Sequence, residues 1–132
     1  MTLPAAPGSN VPHVTFTTRG GAHVRYADVW QRSQLLLVLL PPGADPGWEA
    51  YAETLDGVRT RCAALETTLV VSADAPGSFE APLALVADRW GEVTHAAPLR
   101  EHEGVVTPDV ELLLAWVEAT LHRCPECEGE AL

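Results

Sequence analysis

Six consecutive apolar residues, Leu35 to Leu40, stop at Pro41-Pro42-Gly43, and a helical pattern begins about four residues later. A short run that is apolar at every position and closed by Pro and Gly predicts a strand buried on both faces, the centre of a parallel or mixed sheet. In open α/β folds the loop after such a strand, at the start of the next helix, is the usual place for chemistry. Here that loop reads Ala44-Asp45-Pro46-Gly47-Trp48 and holds no Cys, His, Ser or Lys. The sequence therefore specifies a fold more clearly than an activity.

The flanking patterns extend the fold. Residues 1–12 carry three prolines and read as a loose leader ahead of a domain spanning 13–123. His13 to Thr18 and Ala22 to Tyr26 alternate around Arg19-Gly20-Gly21, which predicts a β-hairpin. Ala27 to Arg32 reads as a short helical turn with Trp30 facing inward. Trp48, Tyr51, Ala52, Leu55, Val58, Cys62 and Leu65 recur at helical spacing, with Pro46 suited to the first turn and Gly57 as the place for a kink. Thr67 to Ser72 and Leu83 to Ala87 read as buried strands. The second enters a hairpin through Asp88-Arg89-Trp90-Gly91. Pro98 to Thr107 reads as a polar loop, then Thr107-Pro108 as an N-cap with proline at the first helical position. A final amphipathic helix precedes an acidic tail, 124–132, that is too polar to pack. Strand, helix and strand followed by a hairpin and a closing helix make a mixed-sheet α/β domain.

Charge and residue usage exclude several functions. With 8 basic against 18 acidic residues the net charge is −10, which disfavours nucleic acid and anionic membrane surfaces. All basic residues are arginine, and the absence of lysine removes Schiff-base chemistry and a P-loop. No apolar run approaches the roughly 20 residues of a membrane span, and the N-terminus lacks the features of a signal peptide. A cytoplasmic location is the expectation, and three cysteines do not suggest a disulfide framework.

From about Phe16 to His122 the sequence resembles the thioredoxin-like superfamily, in its peroxiredoxin and thiol-oxidoreductase branch. The resemblance rests on the Gly20-Gly21 hairpin, the Tyr26-Ala27-Asp28-Val29-Trp30 lead-in, the Leu35–Leu40 strand, and the segment from Ala81-Pro82 through Asp88-Arg89-Trp90-Gly91 to Val93. It implies a three-layer fold, with a mixed central sheet, helices on both faces and an N-terminal β-hairpin. It also implies that Pro82 is the cis-proline beside the active-site loop. Relatives with thioredoxin activity carry Cys-x-x-Cys where this chain has Asp45-Pro46-Gly47-Trp48, so Asp45 and Trp48 stand at the two cysteine positions. The Thr and Cys of a peroxiredoxin loop are missing too. A carboxylate at a helix start is a cap or a stabilised anion, unable to exchange disulfides. What the resemblance implies is a non-catalytic binding or assembly domain. It would use the degenerate face around Trp48, Pro82 and Trp90, with a protein partner or a second copy and no cofactor. Trp48 itself reads equally as a contact residue or as packing on its own domain.

The remaining chemistry lies in the tail. Cys124-Pro125-Glu126-Cys127 permits an inert tail, a reversible disulfide acting as a thiol-disulfide oxidoreductase, or half of a zinc site with His122 close by. Glu126, Glu128 and Glu130 raise the thiol pKa and slow attack. Cys62 falls on an apolar stripe and reads as a small buried hydrophobe. His13, His23, His95 and His102 show no metal-ligand spacing, Asp88 reads as a turn residue, and Glu101 and Glu103 as a solvated loop.

Overall fold

The computed structural model describes residues 6–43, 45–74 and 79–122. In chain order the elements are β1 (Thr15–Thr17), β2 (His23–Arg25), α1 (Tyr26–Val29), β3 (Gln34–Leu39), α2 (Pro46–Gly57) and α3 (Arg59–Ala64). They continue as β4 (Thr67–Ser72), β5 (Leu83–Ala87), β6 (Val93–Pro98), β7 (Arg100–His102), β8 (Val105–Thr107) and α4 (Val110–Leu121). The central sheet has four strands in the order β4-β3-β5-β6. β3 runs parallel to β4, with Leu37 opposite Val70, and antiparallel to β5, with Leu37 opposite Leu85. The apolar run is thus an inner strand with a partner on each side, which is why none of its side chains has a polar duty.

Period-two alternation divides that run between two cores. Leu36, Val38 and Leu40 join Tyr51, Leu55, Leu113 and Val117 under α2 and α4. Leu35, Leu37 and Leu39 join Phe16, Tyr26 and Val29 beneath the β1–β2 hairpin and α1. The sheet therefore carries helices on both faces. The long ones lie on one side, and a single helical turn with the hairpin lies on the other. A buried polar tie crosses the first layer: Gln34 Nε2 donates to Thr67 Oγ1 at 3.1 Å and to the Val117 carbonyl at 3.2 Å. Segment 8–11 closes the outer edge of β6, where Val93 N–H donates to the Ser9 carbonyl and Gly8 N–H to the Val93 carbonyl.

Three local expectations are corrected. Pro98 to Thr107 is not a loop: β7 and β8 pair antiparallel, with Glu101 opposite Val106. The last helix is capped by Asp109, whose carboxylate accepts from Leu112 N–H at 2.9 Å. Pro108 stands before that cap, behind a cis bond from Thr107. A carboxylate accepts the N–H of the third helical residue well from the Ncap position, and Asp109 takes it ahead of Thr107. Trp30 faces outward, 36% exposed, because Tyr26 and Val29 take the inward face of α1. The interruption expected at Gly57 is there: the long helix breaks after this residue of poor helix propensity and resumes as α3.

Candidate functional site

The start of α2 sits at the carboxyl end of β3. Asp45 is its N-cap: the backbone there is extended, and the carboxylate accepts from Gly47 N–H at 2.9 Å. Pro46 occupies the first turn, where a missing N–H costs no hydrogen bond. A carboxylate engaged in this way stabilises the helix end and supplies no nucleophile.

Gly47 is buried beneath the β7–β8 hairpin. A Cβ on it would meet the Gly104 carbonyl oxygen at 3.2 Å, and Glu101 Cγ and Gly104 Cα at 3.3 Å. Only a residue without a side chain lets the hairpin approach this closely. A second tie lies one turn on, where Tyr51 Oη donates to the Pro108 carbonyl at 2.6 Å. Burial, and then the charge of Asp109, push the Tyr51 pKa well above the usual phenol value. The hydroxyl is held as a donor. Trp48 is half-buried against the α2/α4 core layer, the self-packing alternative. The helix end is closed on one side by the hairpin and contains no thiol.

The open surface at this end of the sheet lies beside Pro82. The Ala81–Pro82 bond is cis, as the resemblance implied. Beside it is a groove of about 440 Å³, lined by Pro82, Leu83, Ala96, Ala97, Pro98 and Leu99, with Ala6 and Pro7 on its wall. Glu80 and Arg100 bring the charges to its lining. Arg19, in the β1–β2 turn, is engaged with α2, its guanidinium 2.7 Å from Glu49 and 3.4 Å from Asp56.

The remaining candidates are dispersed. Trp90 is exposed in the β5–β6 turn, at the opposite end of β5 from Pro82, where its carbonyl accepts from Trp30 Nε1 at 3.0 Å. Asp88 is a turn residue, accepting from Trp90 and Glu92 N–H. Cys62 is fully buried, and desolvation pushes its thiol up against the opposing pull of Arg59 and Arg61. His102 and Glu103 lie exposed at the β7–β8 turn, 3.9 Å apart. His122 is exposed near Glu118. Cys124 and Cys127 lie outside the described residues, and among the described residues no group of three His, Cys, Asp or Glu forms a metal cluster. No described helix is long and apolar enough to cross a membrane.

Sequence reasoning missed two features. One is the hairpin lid over Gly47. The other is a polar cluster around His95, whose ring stacks on Trp116 with centroids 5.4 Å apart. A second aromatic group joins His13, Tyr26 and Trp30 at the far end of the sheet. There the buried Tyr26 hydroxyl has no hydrogen-bond partner among the described residues, and burial followed by the Asp88 charge pushes its pKa up to about 12.

No family model and no curated protein matches the sequence. Solved structures do match. A reduced 2-Cys peroxiredoxin from Plasmodium vivax superimposes with a TM-score of 0.69 at 11% identity, covering 88% of this chain and 96% of that one. The peroxidoxin BcpB from Mycobacterium tuberculosis gives 0.62 at 12% identity, with 89% and 98% covered. A protein described as thiol:disulfide interchange protein DsbE from Chlorobium tepidum gives 0.60 at 14%, with 89% and 99% covered. At such identities the likeness speaks for architecture alone, the mixed four-stranded sheet with helices on both faces. The chain has the thioredoxin-like fold, in the form that peroxiredoxins and thiol:disulfide proteins share.

Proposed function

We infer that this is a non-catalytic thioredoxin-like protein that binds a protein partner, or a second copy of itself, through the Pro82 side of the emptied active-site face. The observation that carries the reading is the pairing of a thiol-free, hairpin-covered helix start with an open apolar groove beside the cis-proline. Asp45, Pro46 and Gly47 build the closed side of the face, Trp48 supports it from beneath, and Pro82 with Ala97 forms the open side. Trp90 belongs to the other end of the sheet and drops out of the binding surface. A groove of this size, mainly apolar with two charges, suits a short extended segment or an apolar side chain.

The test is a photo-crosslinking residue at Ala81, on the groove rim, against a control at Ala63 on α3. A discrete adduct from Ala81 alone is expected, and Ala97→Arg, which fills the groove, should lower its yield about tenfold or more. The Ala97→Arg chain should keep its fold by circular dichroism. A strictly monomeric protein with no adduct at Ala81 overturns the reading. A second reading, a thiol-disulfide oxidoreductase working through Cys124 and Cys127, is supported by the Cys-x-x-Cys spacing.

A further inference from the structure

The two edges of the central sheet are finished differently. On β4 the outward carbonyls are taken: Leu69 accepts from the Arg59 guanidinium at 2.8 Å, and Val71 from Arg19 N–H at 2.9 Å. Such covering keeps a sheet edge from pairing with another chain. On β6 the cover stops short. Segment 8–11 bonds Val93 through Gly8 N–H and the Ser9 carbonyl, and the chain bends there in a turn closed by Ser9 N–H on the Ala6 carbonyl at 3.0 Å. From Ala96 to Pro98 no described segment pairs with the outer side of β6.

The register fixes which groups stay open. Antiparallel partners alternate between pairs that exchange hydrogen bonds and pairs that do not. Leu99 N–H donates to the Pro82 carbonyl at 3.1 Å. By alternation Ala84–Ala97 and Val86–His95 are bonded pairs, while Leu83–Pro98 and Leu85–Ala96 are not. Ala96 therefore turns its N–H and carbonyl outward, and Pro98 its carbonyl. Proline at position 98 costs the ladder no donor. Ala96 and Ala97 project to opposite faces of the strand, yet both line the groove beside Pro82. The groove thus runs across the edge, with Ala6 and Pro7 on its wall. Glu80 and Arg100 stand at the Pro82 end, both exposed and neither in an ion pair with a described residue.

We propose that the groove takes an extended segment of a protein partner as an added strand on β6, hydrogen-bonded to Ala96 N–H and to the Ala96 and Pro98 carbonyls. This rests on the binding reading of the groove given above and names how the partner is held. Main-chain bonds supply affinity in strand addition, and side-chain pockets supply the choice of partner. The segment is apolar where it crosses Ala97, with an acidic side chain for Arg100 and a basic one for Glu80. A second copy fits less well, because Pro98 brings no N–H to a two-fold pair of β6 edges and Val93 is already bonded.

The probe is a set of heptapeptides enriched on the full-length protein from a random library and lost on the Ala97→Arg chain. In free ¹⁵N-labelled protein the Ala96 amide should exchange far faster than those of His95 and Ala97, and an enriched peptide should protect it. Ala96→Pro removes the outward N–H without touching the β5 ladder, so the variant should keep its circular dichroism and bind the peptides about tenfold or more weakly. Should that variant unfold, protection of the Ala96 amide in the wild type decides. An Ala96 amide already protected in the free protein would overturn the proposal, as would protection that grows with protein concentration alone, the mark of a second copy. Equal affinity in a folded Ala96→Pro chain would overturn it too, and so would a library that yields no such peptide. If the Ala81 adduct forms equally in wild type and Ala96→Pro, the added strand fails and the groove reading stands. If no adduct forms in either, the groove reading itself fails.

Discussion

Leu37→Ala is expected to lower the unfolding free energy by about 2–5 kcal/mol, the range for leucine-to-alanine changes in a packed core. Leu37 has no exposed surface, and its strand is paired on both sides, to Val70 and to Leu85. Its side chain points into the layer under the hairpin, among Phe16, Leu35 and Leu39. An inner strand held by two neighbours cannot move far to refill the space, so the upper part of the range applies. Domains of this size have roughly 5–15 kcal/mol of stability in total. Urea denaturation should show a much lower midpoint with an unchanged slope. Leu112→Ala is the control. Leu112 is 45% exposed on α4, so that change should stay within about 0.5 kcal/mol.

Gly47→Val is expected to be the second largest effect, about 1–3 kcal/mol by overpacking. The added atoms meet backbone as well as a side chain, because the Gly104 carbonyl and Cα stand within 3.3 Å of the Cβ position. Glu101 can swing aside, but Gly104 cannot do so cheaply. It holds the β7–β8 turn at φ +81, a conformation that glycine adopts without steric cost. The hairpin is also tied to α2 through the Tyr51–Pro108 hydrogen bond. The strain should therefore release by lifting the hairpin, and amide exchange should quicken in 100–107 while β3 and β4 keep their protection. Uniform exchange across the chain would show that the hairpin does not act as a separate cover.

What could be read from the sequence follows the strength of local patterns. β3 and β5 were legible because buried strands leave uninterrupted apolar runs, β4 because Thr67 to Val71 is rich in β-branched residues, and α2 because its apolar spacing is strict. β7 was not. Arg100-Glu101-His102 is exposed at every position, and β8 buries only Val106, so the pair carries almost no alternation. Its reason to fold is tertiary, the fit of its turn on Gly47. The inward assignment of Trp30 failed because a single-turn helix has room for two inward residues, and Tyr26 and Val29 filled it. Asp45 as a cap was legible from its place before Pro46. The separation of Trp90 from Pro82 follows from β5 itself, since five residues of strand span roughly 17 Å. His95 had no signal, because Thr94, Trp116 and Thr120 meet it only through the packing of α4 on β6.

The proposed non-catalytic role requires that the helix start at Asp45, covered by the β7–β8 hairpin, carry no redox chemistry. Steady-state turnover of a model disulfide and of hydrogen peroxide by the reduced wild-type protein, with an external reductant, tests it most directly. No catalytic cycle is expected, only a single slow consumption of thiol that is absent from a Cys124→Ser, Cys127→Ser chain, with Cys62 shielded in the core. Sustained multiple turnovers by the wild type would contradict it. Their loss in the double variant would move the function to the tail dithiol, and their survival would place it at Cys62, the one thiol left in that chain.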